Sequence, residues 1–111
     1  MTVQIEPTHD LSADEIDEIE NHIYDHNSRA TGCRDARGLG FMIRDERGQV
    51  IGAVAGFTWA GACELKQMWV HEAHRGRGHA RALLNAFTDE ARSRGVRRIW
   101  TVSYDLSLIH I

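Results

Sequence analysis

The apolar positions change period several times along the chain, and each change predicts an element. Val3 and Ile5 alternate with polar residues up to Pro7, the pattern of a short first strand. Ile16, Ile19 and Ile23 then recur at spacings of three and four with acids opposite, which predicts an amphipathic helix. Ser12 and Glu15 open it as a capping box, the hydroxyl serving one orphan backbone N–H and the carboxylate another. Residues 27–40, rich in Gly, Arg, Asn and Asp, read as a weak helical turn or a loop. Residues 41–44 and 50–59 are apolar runs separated by Asp45-Glu46-Arg47-Gly48-Gln49, which predicts an antiparallel hairpin. Ala60-Gly61-Ala62 makes a second turn, and residues 64–70 follow as a strand buried partly on each face. Ala80, Leu83, Leu84, Phe87 and Ala91 return to helical spacing in a helix expected over residues 81–94, and Gly95 stands where a C-cap glycine belongs. Residues 99–104 read as a last strand. Strand, helix and strand in that order form a right-handed crossover, so the strands at 64–70 and 99–104 should be parallel neighbours. The predicted class is a mixed α/β sheet, with the first helix on one face and the 81–94 helix on the other.

Length and composition narrow this picture. At 111 residues the chain suits one domain, able to bury roughly 65% of its unfolded surface. Cys33 and Cys63 are far apart without a Cys-x-x-Cys pair, and residues 1–10 lack the charged start and apolar stretch of a secretory signal, so a cytoplasmic protein with reduced thiols is expected. No apolar run approaches the roughly 20 residues that cross a bilayer, which argues against membrane insertion. A net charge of −3 argues against general nucleic-acid affinity. The charge is nevertheless uneven: acids crowd residues 14–20, whereas Arg75, Arg77, Arg81, Arg92, Arg94, Arg97 and Arg98 crowd the last third. That asymmetry fits either two solvated faces or a basic region for a multiply phosphorylated ligand.

The candidate chemistry lies in Arg75-Gly76-Arg77-Gly78-His79-Ala80, between a strand-like and a helix-like run. Two glycines two apart let the backbone turn tightly and approach a ligand, and the first N–H groups of a helix lack intrahelical partners, so the segment suits an anion such as phosphate. It is neither the Gly-x-Gly-x-x-Gly fingerprint of dinucleotide folds nor a Gly-Lys-Ser/Thr loop. Its pattern is Arg75-x-x-Gly78-x-Ala80, with Val70 five residues before Arg75 and an amphipathic helix after it. This resembles the acetyl-coenzyme A pyrophosphate loop of the GNAT superfamily of N-acetyltransferases. The order hairpin, strand, loop, helix, strand also matches that family, over roughly residues 3–105.

The resemblance implies a GNAT-like fold, acetyl-CoA as co-substrate without a metal, and an N-acetyltransferase acting on a primary amine of a small molecule or peptide by direct attack. It implies that backbone N–H groups of Gly76, Arg77, Gly78, His79 and Ala80 bind the pyrophosphate, with Arg75 and Arg77 adding charge. It implies too that Met68, Trp69 and Val70 bind the pantetheine arm as an added strand would, which requires this strand to splay from the 99–104 strand. A base must free the amine of a proton, and Glu64, six residues before Val70, is the candidate, with burial among Phe57, Trp59 and Trp69 as the means of tuning it. The bland alternative is a strand-edge glutamate paired with Lys66 or an arginine. His22 with His26 and His71 with His74 are pairs without an evident third ligand, so no metal site is expected. Trp59, Trp69 and Tyr24 fit either an acceptor pocket or the core. A homodimer is among the expectations.

The family pattern continues past the strand at 99–104 with a helix and two strands, and that helix commonly carries an asparagine that contacts coenzyme A and a tyrosine that protonates the departing thiolate; neither has a match here, and Tyr104 does not inherit the role. Residues 106–111 resemble a translated sequencing-library end, so residues 3–105 are expected to be a C-terminally incomplete domain followed by a foreign tail, the alternative being a natural short apolar terminus. Two rivals stay open: a CoA-binding protein without catalysis, and an interaction module built on the acids of residues 14–20.

Overall fold

The structure, a computed structural model, describes residues 3–101. Tyr104, the end of the predicted last strand and residues 106–111 lie outside that range. The chain divides into two compact units, residues 1–33 and 34–111.

The first unit is a helix, α1 (Ala13–Thr31), with its predicted start. Ser12 Oγ accepts the Glu15 N–H at 3.1 Å, and Glu15 Oε1 accepts the Ser12 N–H at 3.1 Å. The helix runs through residues 27–31, which the sequence left between a weak turn and a loop. Gly32 ends it at φ 73°, its N–H donating to the Ser28 carbonyl at 2.8 Å. Residues 3–5 correct an expectation: they form no strand, and Val3 and Ile5 are 80% and 95% exposed. Two alternating apolar residues fix a strand only when a neighbouring strand takes up their backbone groups.

The second unit holds a four-stranded sheet in the order β1 (Arg37–Arg44), β2 (Val50–Trp59), β3 (Ala62–Val70), β4 (Arg98–Thr101). The first three strands are antiparallel and β4 is parallel to β3, as the crossover rule required. In the first turn Asp45 Oδ1 accepts the N–H groups of Arg47 and Gln49, both at 2.9 Å. The second is tighter, with Ala60 and Gly61 both at positive φ. The strand β1 starts four residues before the predicted 41. Its Gly38 and Gly40 look like loop residues, but pairing with β2 and a clamp from Arg94 hold them extended.

The core lies between the sheet and α2 (His79–Ser93). Leu83, Phe87 and Ala91 form the helix's buried stripe, joined by Leu39, Val54, Cys63 and Val70 from the sheet. Burial of Leu83 and Phe87 alone contributes about 1.5–3 kcal/mol each. Burial also pushes the Cys63 thiol's pKa up, against the pull of the Arg94 charge. At the end of α2 the Arg94 guanidinium donates to the carbonyls of Arg37 and Gly38 at 3.3 and 3.0 Å and to Thr58 Oγ1 at 3.1 Å, tying helix to sheet.

Candidate functional site

The β3 strand ends at Val70, and the chain passes through a short 3-10 turn (Glu72–His74) into the glycine loop and α2. The His71 N–H donates to the Ile51 carbonyl at 2.7 Å, and His71 Nδ1 accepts the Ala73 N–H at 3.0 Å, which sets the 3-10 turn against the sheet. Arg75 then folds back, its Nε donating to the Val70 carbonyl at 3.0 Å. The loop is therefore tied at its base to the strand that precedes it. Gly76 and Gly78 sit at φ 79° and 82°, a region open to glycine at little steric cost, and nothing lies within 4 Å of where either Cβ would be. The backbone is open to approach on that side.

The start of α2 lacks the usual neutralising features. Gly78 is its N-cap, no side chain caps it, and its first turn carries no acid. The first helical bond runs from the Ala82 N–H to the Gly78 carbonyl at 3.0 Å, and the N–H groups of His79, Ala80 and Arg81 have no acceptor among the described residues. Arg75 and Arg77 in the loop and Arg81 in the first turn bring three cationic residues to this stretch of chain, and the positive end of the helix dipole favours an anion. Ala80 packs against the core, so the helix start sits close over the sheet.

The candidate residues of β3 divide between its two faces. Met68 and Val70 point to the core side, with Val70 buried, while Trp69 is 47% exposed on the other face, opposite Ala53. The described pairing of β3 with β4 runs from Ala62↔Arg98 to Leu65↔Thr101, and Met68, Trp69 and Val70 have no β4 partner among the described residues. Glu64 is half-buried on the face that carries Trp69, opposite Phe57 on β2 and Trp100 on β4. Trp59 shares that face opposite Ala62. Trp69 is five residues along the strand from Glu64, so the expected three-aromatic enclosure is corrected: Phe57 flanks Glu64, Trp100 replaces Trp69, and Trp69 lies at the far end. Lys66 has its ammonium 5.8 Å from the Phe57 ring centre.

Two features of this end of the sheet were not read from the sequence as parts of a site. A cleft of about 430 Å³ opens between the β1–β2 turn and the 3-10 turn, lined by Arg44, Asp45, Glu46, Arg47, Gln49 and His74. Residues 45–49 signal only a turn; that they lie beside the loop follows from the antiparallel register. The second is a row of histidine rings, His71, His74 and His79, with neighbouring centroids 5.8 and 6.3 Å apart. Their spacing matches no common motif. Among the described residues no group of three or more His, Cys, Asp or Glu side chains is arranged to hold a metal ion, and no helix is long and apolar enough to cross a membrane.

The model of the acetyltransferase (GNAT) family matches residues 5–109. An acetyltransferase of Agrobacterium fabrum is 35% identical over 77 residues, which covers 69% of this chain and 56% of the relative; the chain thus spans a little over half the length of that protein. The crystal structure of an acetyltransferase from Agrobacterium tumefaciens superposes with a TM-score of 0.79 at 28% identity, covering 97% of this chain and 77% of the other. A Mycobacterium tuberculosis protein crystallised with CoA shares the fold at a TM-score of 0.56 and 21% identity, covering 62% of this chain and 43% of its own.

Proposed function

The chain belongs to the acetyltransferase (GNAT) family, and from that premise we propose that it binds acetyl-CoA at residues 76–80 and transfers the acetyl group to a primary amine. The observation that carries this reading is the start of α2: three backbone N–H groups without acceptors among the described residues, no acid in the first turn, and Arg75, Arg77 and Arg81 in the loop and first turn. A diphosphate supplies the negative charge and the acceptor oxygens that this end of the helix lacks.

The N–H groups of residues 76–80 hold the diphosphate, and Arg75 fixes the loop through the Val70 carbonyl while its remaining guanidinium N–H groups add positive charge. The backbone of Met68, Trp69 and Val70, unpaired by β4 among the described residues, hydrogen-bonds the pantetheine arm in the manner of an added strand. Glu64 lies six residues back along β3, about 20 Å at roughly 3.3 Å per residue, a distance comparable with the extended arm between diphosphate and thiol. Its carboxylate, flanked by Phe57 and Trp100, takes the proton of the incoming amine directly or through one water, so that a neutral nucleophile attacks the thioester carbonyl. One backbone N–H of β3 polarises that carbonyl, and CoA leaves as the thiolate, which takes a proton from solvent. The acceptor is a small molecule or a peptide, and the site of action is the cytoplasm.

Isothermal titration of the chain with CoA tests the binding step, with Gly78→Leu expected to weaken it at least tenfold because a side chain at φ 82° strains the loop and fills the approach. Release of free thiol from acetyl-CoA with a panel of amines tests the chemistry, with Glu64→Gln lowering kcat by about 10²-fold or more. Absence of CoA binding sinks the whole reading. Binding without thiol release for any amine leaves a CoA binder.

A further inference from the structure

The sheet has a second face, of which the chemistry above uses only the Glu64 side chain and its flanks. Gly52 and Gly56 of β2 meet Leu83 and Phe87 of α2, so Ala53, Ala55, Phe57 and Trp59, which alternate with them, point away from that helix. The register carries the same face across to Glu64, Gln67 and Trp69 on β3 and to Arg98 and Trp100 on β4. At one level of the sheet Phe57, Glu64 and Trp100 stand side by side. Neighbouring strands put such side chains about 5 Å apart at Cβ, so the half-buried carboxylate has an aromatic residue on each side. Trp100 is 45% exposed. Beyond Phe57 the next residue in the row is Gly38, and nothing lies within 4 Å of where its Cβ would be, so the row is open there. The Lys66 ammonium stands 5.8 Å from the Phe57 ring centre, within cation–π range, so the protein's own fold brings an alkylammonium onto this ring.

We propose that the acetyl acceptor is a primary amine with one positive charge on an aromatic body, its ammonium held at the Glu64 carboxylate and its ring against Phe57 and Trp100. The proposal rests on the transferase reading and adds the class of acceptor, which that reading leaves open. Charge decides against amines that carry several ammonium groups. Among the described residues of this face in β2, β3 and β4, Glu64 is the single acid, while Arg98 and the Lys66 ammonium over Phe57 are cations. A second ammonium on the ligand would meet one of these cations instead of a carboxylate, and like charges brought together are costly. A small aliphatic amine reaches Glu64 but leaves the aromatic surface in water, whereas an aromatic body covers it. Lys66 then competes with the incoming ammonium for the Phe57 ring and repels its charge.

The probes are phenethylamine, ethylamine and spermidine, each titrated into the full chain with and without saturating CoA and followed by the indole N–H signals of isotope-labelled protein. Trp100→Phe identifies the Trp100 signal. Phenethylamine should bind at least about tenfold more tightly than ethylamine or spermidine, and it should shift the Trp100 signal while leaving that of Trp69 in place. Glu64→Gln should weaken phenethylamine binding about tenfold. Lys66→Met should tighten it about threefold, a gain that a merely structural lysine would not give. Ethylamine or spermidine binding as tightly as phenethylamine overturns the proposal. So does a Trp100 signal that stays fixed during binding, or one that moves with protein concentration rather than with amine, which would assign the face to a second copy of the chain. Calorimetric titration with CoA alongside separates the two readings. A chain that binds CoA but none of the amines overturns this proposal alone, and a chain that does not bind CoA sinks the transferase reading and the acceptor with it.

Discussion

Gly56 is the residue on which the second unit's geometry turns. Between Ala55 and Gly56 the pairing of β2 with β3 shifts register, so that Ala55 faces Gln67 and Gly56 faces Leu65, leaving Lys66 as the extra residue of a bulge. A Cβ at residue 56 would drive into the Glu64 carbonyl and come within 3.0 Å of Phe87 Cζ. Gly52, two positions along the same face from Val54, meets Leu83 Cδ1 at 3.2 Å in the same sense. The two glycines form the lane into which Leu83 and Phe87 of α2 settle. Gly56→Ala should therefore lower stability by about 3 kcal/mol, the upper end of overpacking effects, whereas Gly38→Ala, with nothing within 4 Å, should change it by under about 0.5 kcal/mol. Urea unfolding of both variants checks this, and equal effects would show that strand propensity, not close approach, explains the glycines. From the sequence alone Gly52 and Gly56 read only as interruptions in an apolar run. Their purpose depends on a helix some 30 residues later, and no local pattern carries that information.

At the scale of elements, what could be read in advance was whatever has a local cause. The start of α1 is one case: Ser12 and Glu15 satisfy each other's N–H groups, so four adjacent residues determine the cap. The buried stripe of α2 is another, because helical spacing alone puts Leu83, Phe87 and Ala91 on one face. Residues 37–40 escaped because Arg94, far along the chain, holds them extended; residues 3–5 failed because no strand among the described residues pairs with them. The α1 cap also has a pH signature. The Ser12 backbone N–H that the Glu15 carboxylate accepts, and after it the Ser12 side chain, hold the Glu15 carboxyl below its usual range. A depressed carboxyl contributes stability above its ordinary range and loses it as pH falls through its own lowered value. Glu15→Gln should accordingly speed amide exchange in the first turn of α1 at neutral pH, and the difference from the native chain should close in acid once Glu15 is protonated. Hydrogen exchange followed by NMR at both conditions decides it; a difference that persists unchanged in acid would mean that the carboxylate charge is irrelevant to the cap.

For the whole molecule, the sheet order, the parallel last pair and the position of the glycine loop at the end of β3 follow from connection rules acting on the order of elements, which is why they were legible. The surroundings of the loop were not, because Arg44, Arg47 and His74 meet only through the antiparallel register, and the histidine row forms only once the 3-10 turn folds the chain back. The same division of causes bears on how the chain is built. Every member of the core cluster, Leu39, Val54, Cys63, Val70, Leu83, Phe87 and Ala91, belongs to residues 34–111. The Arg94 clamp, the Arg75 tie and every residue proposed to hold the coenzyme lie in that unit as well. A chain beginning at residue 34 should thus keep the sheet and α2, unfold cooperatively in urea, and bind CoA within about threefold of the full chain's affinity, a difference of under roughly 0.7 kcal/mol. Near-ultraviolet circular dichroism and calorimetric titration of the shortened chain measure the two expectations separately. Loss of the near-ultraviolet signal would show that the first unit is required for the core to form. A retained fold with CoA binding weakened by tenfold or more would instead place part of the coenzyme site in residues 1–33, and the loop at residues 75–80 would no longer account for binding by itself.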